Sequence, residues 1–178
     1  DGTPLVGAQN RYTIAPGYAT AIFQGDMVVP VGTGNIQRHA AGTSAAVVGV
    51  FNGVFYNDPT TQKPTYKNYY PGGVTPTQGD ITAFVVDDPD AVFLMDADLS
   101  FVRADLFKNY SVTSATGVTQ TGISSVQLDA SASGIASTFA VQAIDITQDP
   151  ENSDVTVSNA NILVRINNHF FRSGTGIA

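Results

Sequence analysis

At 178 residues the chain is long enough to bury roughly 70% of the surface it exposes when unfolded, so one hydrophobic core and one domain are expected. Charged residues make up 13% and apolar residues 43%, a balance that excludes a disordered chain; a net charge of −7, from 8 basic and 15 acidic side chains, argues against a nucleic-acid partner. The absence of cysteine excludes disulfides and thiolate metal sites, and no apolar run approaches the roughly 20 residues of a membrane span, so no membrane partner is expected.

The N-terminal stretch DGTPLVGAQNRYTIAPG lacks the basic flank and apolar centre of a signal peptide. A start without Met is expected where an initiator residue or a longer pro-segment has been removed. Gly2, Pro4, Gly7, Pro16 and Gly17 interrupt any periodicity, which predicts an extended arm over residues 1–17 that lies on a partner, with Tyr12 and Ile14 as its contact residues. From residue 18 to 178 the pattern is all-β, with short runs of β-forming residues separated by turn residues, as in a single compact barrel or sandwich.

Strands are predicted at 18–24, 27–31, 46–57, 65–70, 81–87, 91–96, 124–129, 137–147 and 161–167. In NILVRIN, Ile162, Val164 and Ile166 share one face and Leu163, Arg165 and Asn167 the other, the period of a half-exposed strand. AVVGVFNGVFYN is apolar on both faces and interrupted by Gly49 and Gly53, which suits either a sandwich-core strand or one that bends sharply to close a barrel. A helical turn is predicted only near residues 101–107, and residues 111–122, rich in Ser, Thr and Gly, read as a long surface loop or an irregular edge.

The acidic stretch FVVDDPDAVFLMDADL invites a metal reading. An EF-hand loop starting at Asp96 would need Gly at its sixth position and a carboxylate at its twelfth, and Phe101 and Phe107 stand there. Asp-Asp-Pro-Asp is instead good turn chemistry between two strands. No Gly-x-Ser-x-Gly elbow occurs, and the histidines are two: His39 in QRHAAGTS reads as a solvated loop side chain, His169 in NNHFFR as a strand-end or interface residue. No catalytic, cofactor or metal residues are therefore predicted, and no enzyme. Aromatic residues stand out instead: Tyr66, Tyr69 and Tyr70 in TYKNYYPGG, Tyr56 nearby, and Phe170 and Phe171 beside Arg172, all residue types enriched at protein interfaces.

The runs GVFNGVFYND (49–58), NYYPGG (68–73), FVVDDPDAVFLM (84–95), DPENSD (149–154) and NILVRINNHFFR (161–172), in this order, resemble the head decoration or cement proteins of tailed bacteriophages. The resemblance implies a structural virion protein on the outer surface of the capsid. It would bind the major capsid protein of the expanded shell through a domain at 18–178 and stabilise contacts between capsomers. It also implies a homo-oligomer at a local symmetry axis, a trimer ahead of a dimer. Tyr12, Ile14, Tyr56, Tyr69, Tyr70, Phe170 and Phe171 are the partner-binding candidates. The alternative is a carbohydrate-binding β-sandwich, lectin-like, with the tyrosines as its stacking platform.

Overall fold

In the computed structural model, which describes residues 9–148, 150, 156–172 and 176–177, the chain is almost entirely β. Its strands are β1 (Asn10–Ile14), β2 (Met27–Pro30), β3 (Ile36–Arg38), β4 (Gly49–Asn57), β5 (Pro64–Lys67), β6 (Ile81–Val86), β7 (Val92–Asp96), β8 (Asn109–Val112), β9 (Leu128–Gly134), β10 (Val141–Ile146) and β11 (Asn161–Ile166). The helical turn predicted near 101–107 is a short 3-10 turn, Arg103–Asp105. Among the described residues no helix is long and apolar enough to cross a membrane.

Six strands form one sheet in the order β2-β3-β1-β6-β4-β5, and a further pairing of β2 with β4 closes five of them into a small barrel. Only β1 and β3 run parallel; the other neighbours are antiparallel. β4 is the long strand of this sheet. Its first residues pair with β2 and its last four with β5, so it both closes the barrel and extends beyond it as a hairpin. Two glycines permit this. A Cβ on Gly49 would stand 2.3 Å from the Val86 carbonyl oxygen, so only glycine allows β6 to approach there. At Gly53, φ is +150° and the register with β6 shifts between Phe51 and Gly53, a bulge that bends the strand.

Alternation then sorts the side chains. β6 reads ITAFVV, and Ile81, Ala83 and Val85 point inward with Ile14, Val28, Ile36, Phe51, Val54 and Tyr56 to fill the barrel. Ile22, Tyr70 and Val74 plug it from the loops. The second sheet, in the order β7-β11-β10-β8-β9, packs on the outside of the barrel at β2. Its inner residues, among them Tyr110, Leu128, Val141, Ile162, Val164 and Ile166, bury Met27, Val29 and Val47. A barrel and a layered β packing therefore coexist, joined through one strand that is apolar on both faces.

Two expectations change. Residues 1–8 of the predicted arm lie outside the described residues, but residues 10–14 are not an arm: β1 sits between β3 and β6, paired residue for residue from Asn10↔Val85 to Ile14↔Ile81. Ile14 is 1% exposed and belongs to the barrel core. Residues 18–24 are not a regular strand. Ile22 and Phe23 are both buried, which strict alternation forbids, and the segment makes only single bridges, Ile22 to Tyr70 and Gln24 to Ile123. β1, β3 and β8 had no counterpart among the predicted strands, and the strand expected at 124–129 lies later, at β9.

Deleting residues 1–16 is accordingly expected to leave an unfolded chain by circular dichroism, because it opens the barrel and removes Ile14. Deleting residues 1–8 alone is expected to preserve the β spectrum and a cooperative melt.

Candidate functional site

The seven predicted contact residues separate sharply once placed. Ile14, Tyr56 and Tyr70 are buried to 1% exposure or less, so all three are core side chains and not contact residues. Tyr70 is a structural pin: its hydroxyl donates to the Tyr18 carbonyl at 2.8 Å and accepts from the Val74 N–H at 3.2 Å, tying two loops across the barrel mouth. Tyr12 is half-buried and donates to Asp87 at 2.5 Å; its hydroxyl is held well above the usual tyrosine pKa by burial and by that carboxylate. Tyr69 stacks on buried Phe23 with ring centroids 5.4 Å apart, and Lys67 lies over its ring. Phe170 packs against the barrel cluster, and of the seven only Phe171 is largely exposed.

A different aromatic surface emerges on the outer face of the barrel. Phe55 on β4 and Tyr66 on β5 are directly opposed cross-strand partners, 40% and 61% exposed. Tyr66 reaches over β4 to Phe84 on β6, with centroids 6.0 Å apart, and the Arg11 guanidinium on β1 stands 6.0 Å over the Phe84 ring. Arg11 and Phe84 are themselves register partners. Four adjacent strands thus lay out a continuous row, Arg11–Phe84–Tyr66–Phe55, and the gap that lets the tyrosine lie across β4 is Gly53, where a Cβ would stand 2.5 Å from Tyr66 Oη. The row combines an arginine and three rings on a rigid sheet, the composition of an interface centre. Tyr66 was visible in the sequence as part of the tyrosine cluster. Phe55, Phe84 and Arg11 were not distinguished, since each follows a residue of the opposite face and only strand parity tells them from core.

Four of the five aspartates in the acidic stretch are spent on structure. Asp87 accepts from Asn10 and Tyr12, Asp88 caps its own turn at the Asp90 N–H, Asp90 pairs with Arg172, and Asp98 accepts from the Ala130 N–H. Among the described residues no three His, Asp or Glu side chains converge as a metal site.

A hollow of about 460 Å³ lies between the residues around β3 and the start of the loop after β8. Tyr18, Asp26, Arg38, His39, Thr113 and Val126 line part of it. Its charges are committed internally. Asp26, fully buried, accepts from Arg38 Nε at 2.9 Å, Ser124 Oγ at 2.5 Å and the Phe23 N–H at 2.8 Å. Arg38 also donates to the Ala115 carbonyl. Burial pushes the Asp26 carboxyl up, and these donors oppose the shift.

His39 is not the solvated loop residue expected: it is 8% exposed, and it continues β3 against β2, its N–H donating to the Met27 carbonyl at 2.9 Å. The Thr43 hydroxyl donates to the Ala40 carbonyl, so His39 Nε2 donates to Thr43 at 3.4 Å and Nδ1 is left with no partner. His169 is 1% exposed and accepts the Phe171 N–H at Nδ1. Burial lowers the pKa of both imidazoles, and at His169 the Arg172 charge adds to the effect while Asp87 and Asp88 oppose it.

Comparisons with protein-family models, with curated proteins and with solved structures found no match to this chain. The row on the barrel face is therefore the feature from which a function is argued.

Gly53→Ala is expected to cost roughly 1–3 kcal/mol in denaturant unfolding and to displace the Tyr66 ring, since it places a side chain at a glycine-only φ under that ring. The histidines set a pH dependence. Each is harder to protonate folded than unfolded, so the unfolded chain takes up the protons; stability is full above the ordinary histidine value of 6.5 and is lost as pH falls below it. Asp26 acts in the opposite sense, because its raised carboxyl favours the folded state as pH falls. Melting temperatures between pH 7.5 and 5 are expected to decline with pH, and His39→Gln or His169→Gln to flatten that decline.

Proposed function

We propose that this protein is a structural binding module of a tailed-phage virion, which attaches to the outer surface of the expanded capsid and stabilises contacts between its capsomers. The observation that carries the reading is the exposed Arg11–Phe84–Tyr66–Phe55 row. A barrel face bearing rings and a guanidinium buries area against another protein at small entropic cost, since these side chains are already held by their neighbours. The resemblance of the chain's runs, in order, to head decoration proteins supports the major capsid protein as the partner in this reading. The acidic, cysteine-free composition is compatible with a site on the outside of the particle.

Cementing follows from mass action. A subunit that binds the assembled lattice and not separated capsomers shifts assembly by about 2.7 kcal/mol when it is free at a hundredfold above its dissociation constant, and the effect repeats at every site. A repeated, symmetric target favours a symmetric ligand, so a homo-oligomer, a trimer ahead of a dimer, is part of the proposal.

A second reading, carbohydrate binding, draws on Tyr66 alone, an exposed ring of the kind on which a sugar can stack; Tyr56 and Tyr70 are buried and offer no platform. The test uses expanded shells of the virus that encodes the chain, with co-sedimentation and heat release of the genome as readouts. Wild-type protein is expected to saturate shells and raise their melting temperature. Tyr66→Ser with Phe84→Ser is expected to stay folded and to bind at least tenfold more weakly. If wild-type protein fails to bind such shells at any salt concentration while Tyr66 proves necessary for retention on immobilised glycans, the carbohydrate reading replaces this one.

A further inference from the structure

Beside the far half of β8 the second sheet is one strand short. β10 pairs with β8 at Val141↔Tyr110 and Gln142↔Asn109, and before Val141 its chain turns away. The Ala140 carbonyl accepts there from the Asn167 N–H at 2.9 Å, and the Phe139 N–H donates to the Ala136 carbonyl at 3.4 Å. β8 and the residues after it nevertheless continue along β9, through Ser111↔Asp129, Val112↔Leu128 and the Thr113 N–H, which donates to the Gln127 carbonyl at 2.9 Å. Main-chain groups alternate in direction along a strand, so those of Val112 and Ser114 point the other way, into the space that β10 leaves. Among the described residues no strand pairs with that side. An open strand edge is a template for another strand, and SVTS (111–114) carries no charge or proline to deter one.

The space is a groove. Two adjoining hollows, of about 460 and 450 Å³, share Ala41, Val112, Thr113 and Ser114, and the loop after β3, with Gly42, Thr43 and Ser44, forms the facing wall of the second. The charged groups along it are already spent: Asp26 and Arg38 on each other, on Ser124 and on the Ala115 carbonyl, and Asp129 on the N–H groups of Ser131 and Ala132. Hydroxyls, small side chains and the strand edge remain. A second, independent feature lies in the first hollow. His39, 8% exposed, is among its lining residues, and with Nε2 committed to Thr43 its Nδ1 is a buried acceptor that has no partner. A buried acceptor left unpaired is costly, and a donor brought against it removes that cost.

We propose that this groove binds an extended, uncharged peptide segment of a partner protein, rich in Ser, Thr, Ala and Val, which adds a strand to residues 111–114 in line with β10. The four edge residues run roughly 13 Å, enough for a short segment to exchange main-chain hydrogen bonds with Val112 and Ser114. The facing wall of alanine, glycine and hydroxyl side chains leaves room for small residues, and a charged one would meet no free counter-charge. An oligosaccharide would find the same hydroxyls but has no regular series of N–H and C=O groups to match a strand edge. The inference stands whichever partner the aromatic row meets, since it uses none of that row's residues.

The test titrates the isotope-labelled full-length protein with the peptide acetyl-TVSVTS-amide up to millimolar concentration. Chemical-shift changes are expected at residues 40–44 and 111–114, with amide exchange at Val112 and Ser114 slowed at least tenfold at saturation. The same peptide N-methylated on alternate amides, in either register, is expected to bind at least tenfold more weakly. Ala41→Trp, at a half-buried position where the two hollows meet, and Ser44→Trp, at an exposed position on the second, are each expected to keep the β spectrum and to weaken binding at least tenfold; two variants guard against one failing to fold. Tyr66→Ser with Phe84→Ser is expected to bind the peptide as the wild type does, so this result and the fate of the aromatic row are read separately. No shifts at millimolar peptide, shifts confined to other residues, equal binding of the N-methylated peptides, undiminished binding by the folded tryptophan variants, or shifts at 40–44 and 111–114 with maltohexaose and not with the peptide each overturns the proposal.

Discussion

The fold depends on one short strand having no solvent face. β2 sends Val28 into the barrel and Met27 and Val29 into the packing beneath the second sheet, so each of its two faces belongs to a different core. A half-exposed strand supports one layer; a strand buried on both faces couples two. Because β2 is also the strand whose pairing with β4 closes the ring, loss of its packing on either side loosens closure, and loss of closure strips the second sheet of its floor. Barrel and sheet are expected to unfold in one transition for this reason.

Polar chemistry reinforces the same junction. Asp26 immediately precedes β2, Arg38 ends β3, and Ser124 approaches from the loop before β9; the three meet around one buried carboxylate. A buried ion pair is weak evidence for net stability, but breaking one partner leaves an uncompensated charge, which costs about 3–5 kcal/mol. The network therefore specifies how the loop from the second sheet sits on the barrel more than it adds to the total stability. Its position explains why the hollow beside β3, although lined with charge, has little charge left to offer a ligand.

How much of this was legible in sequence follows from strand parity. ITAFVV and NILVRIN alternate with one wet face, so β6 and β11 could be read to within a residue. β4 showed its glycines and two-sided apolarity, and its barrel-closing role was among the readings they allowed. β1 was hidden because its partners lie far away in the chain and its flanks carry glycine and proline; β3, at three residues, is too short to show a period. The site was harder still. Phe55 and Tyr56 are neighbours of the same chemical type, one on the outer face and one in the core, and the bulge at Gly53 sets which is which. Residue type points to an interface; it does not say which way the ring faces.

The central place of β1 also bears on how the molecule comes into being. Its register partner is some seventy residues downstream, from Asn10↔Val85 to Ile14↔Ile81, and its parallel neighbour β3 offers only a single aligned pair. On a ribosome adding roughly 5–20 residues per second, the first strand waits for seconds before β6 emerges, and several more residues must clear the exit tunnel. Closure of the barrel is thus a late, non-local event, of the kind that slows folding by orders of magnitude relative to helical bundles. The nascent chain carries an unpaired β-forming strand through that interval, and its yield in a host cell depends on what shields that strand until the ring can close.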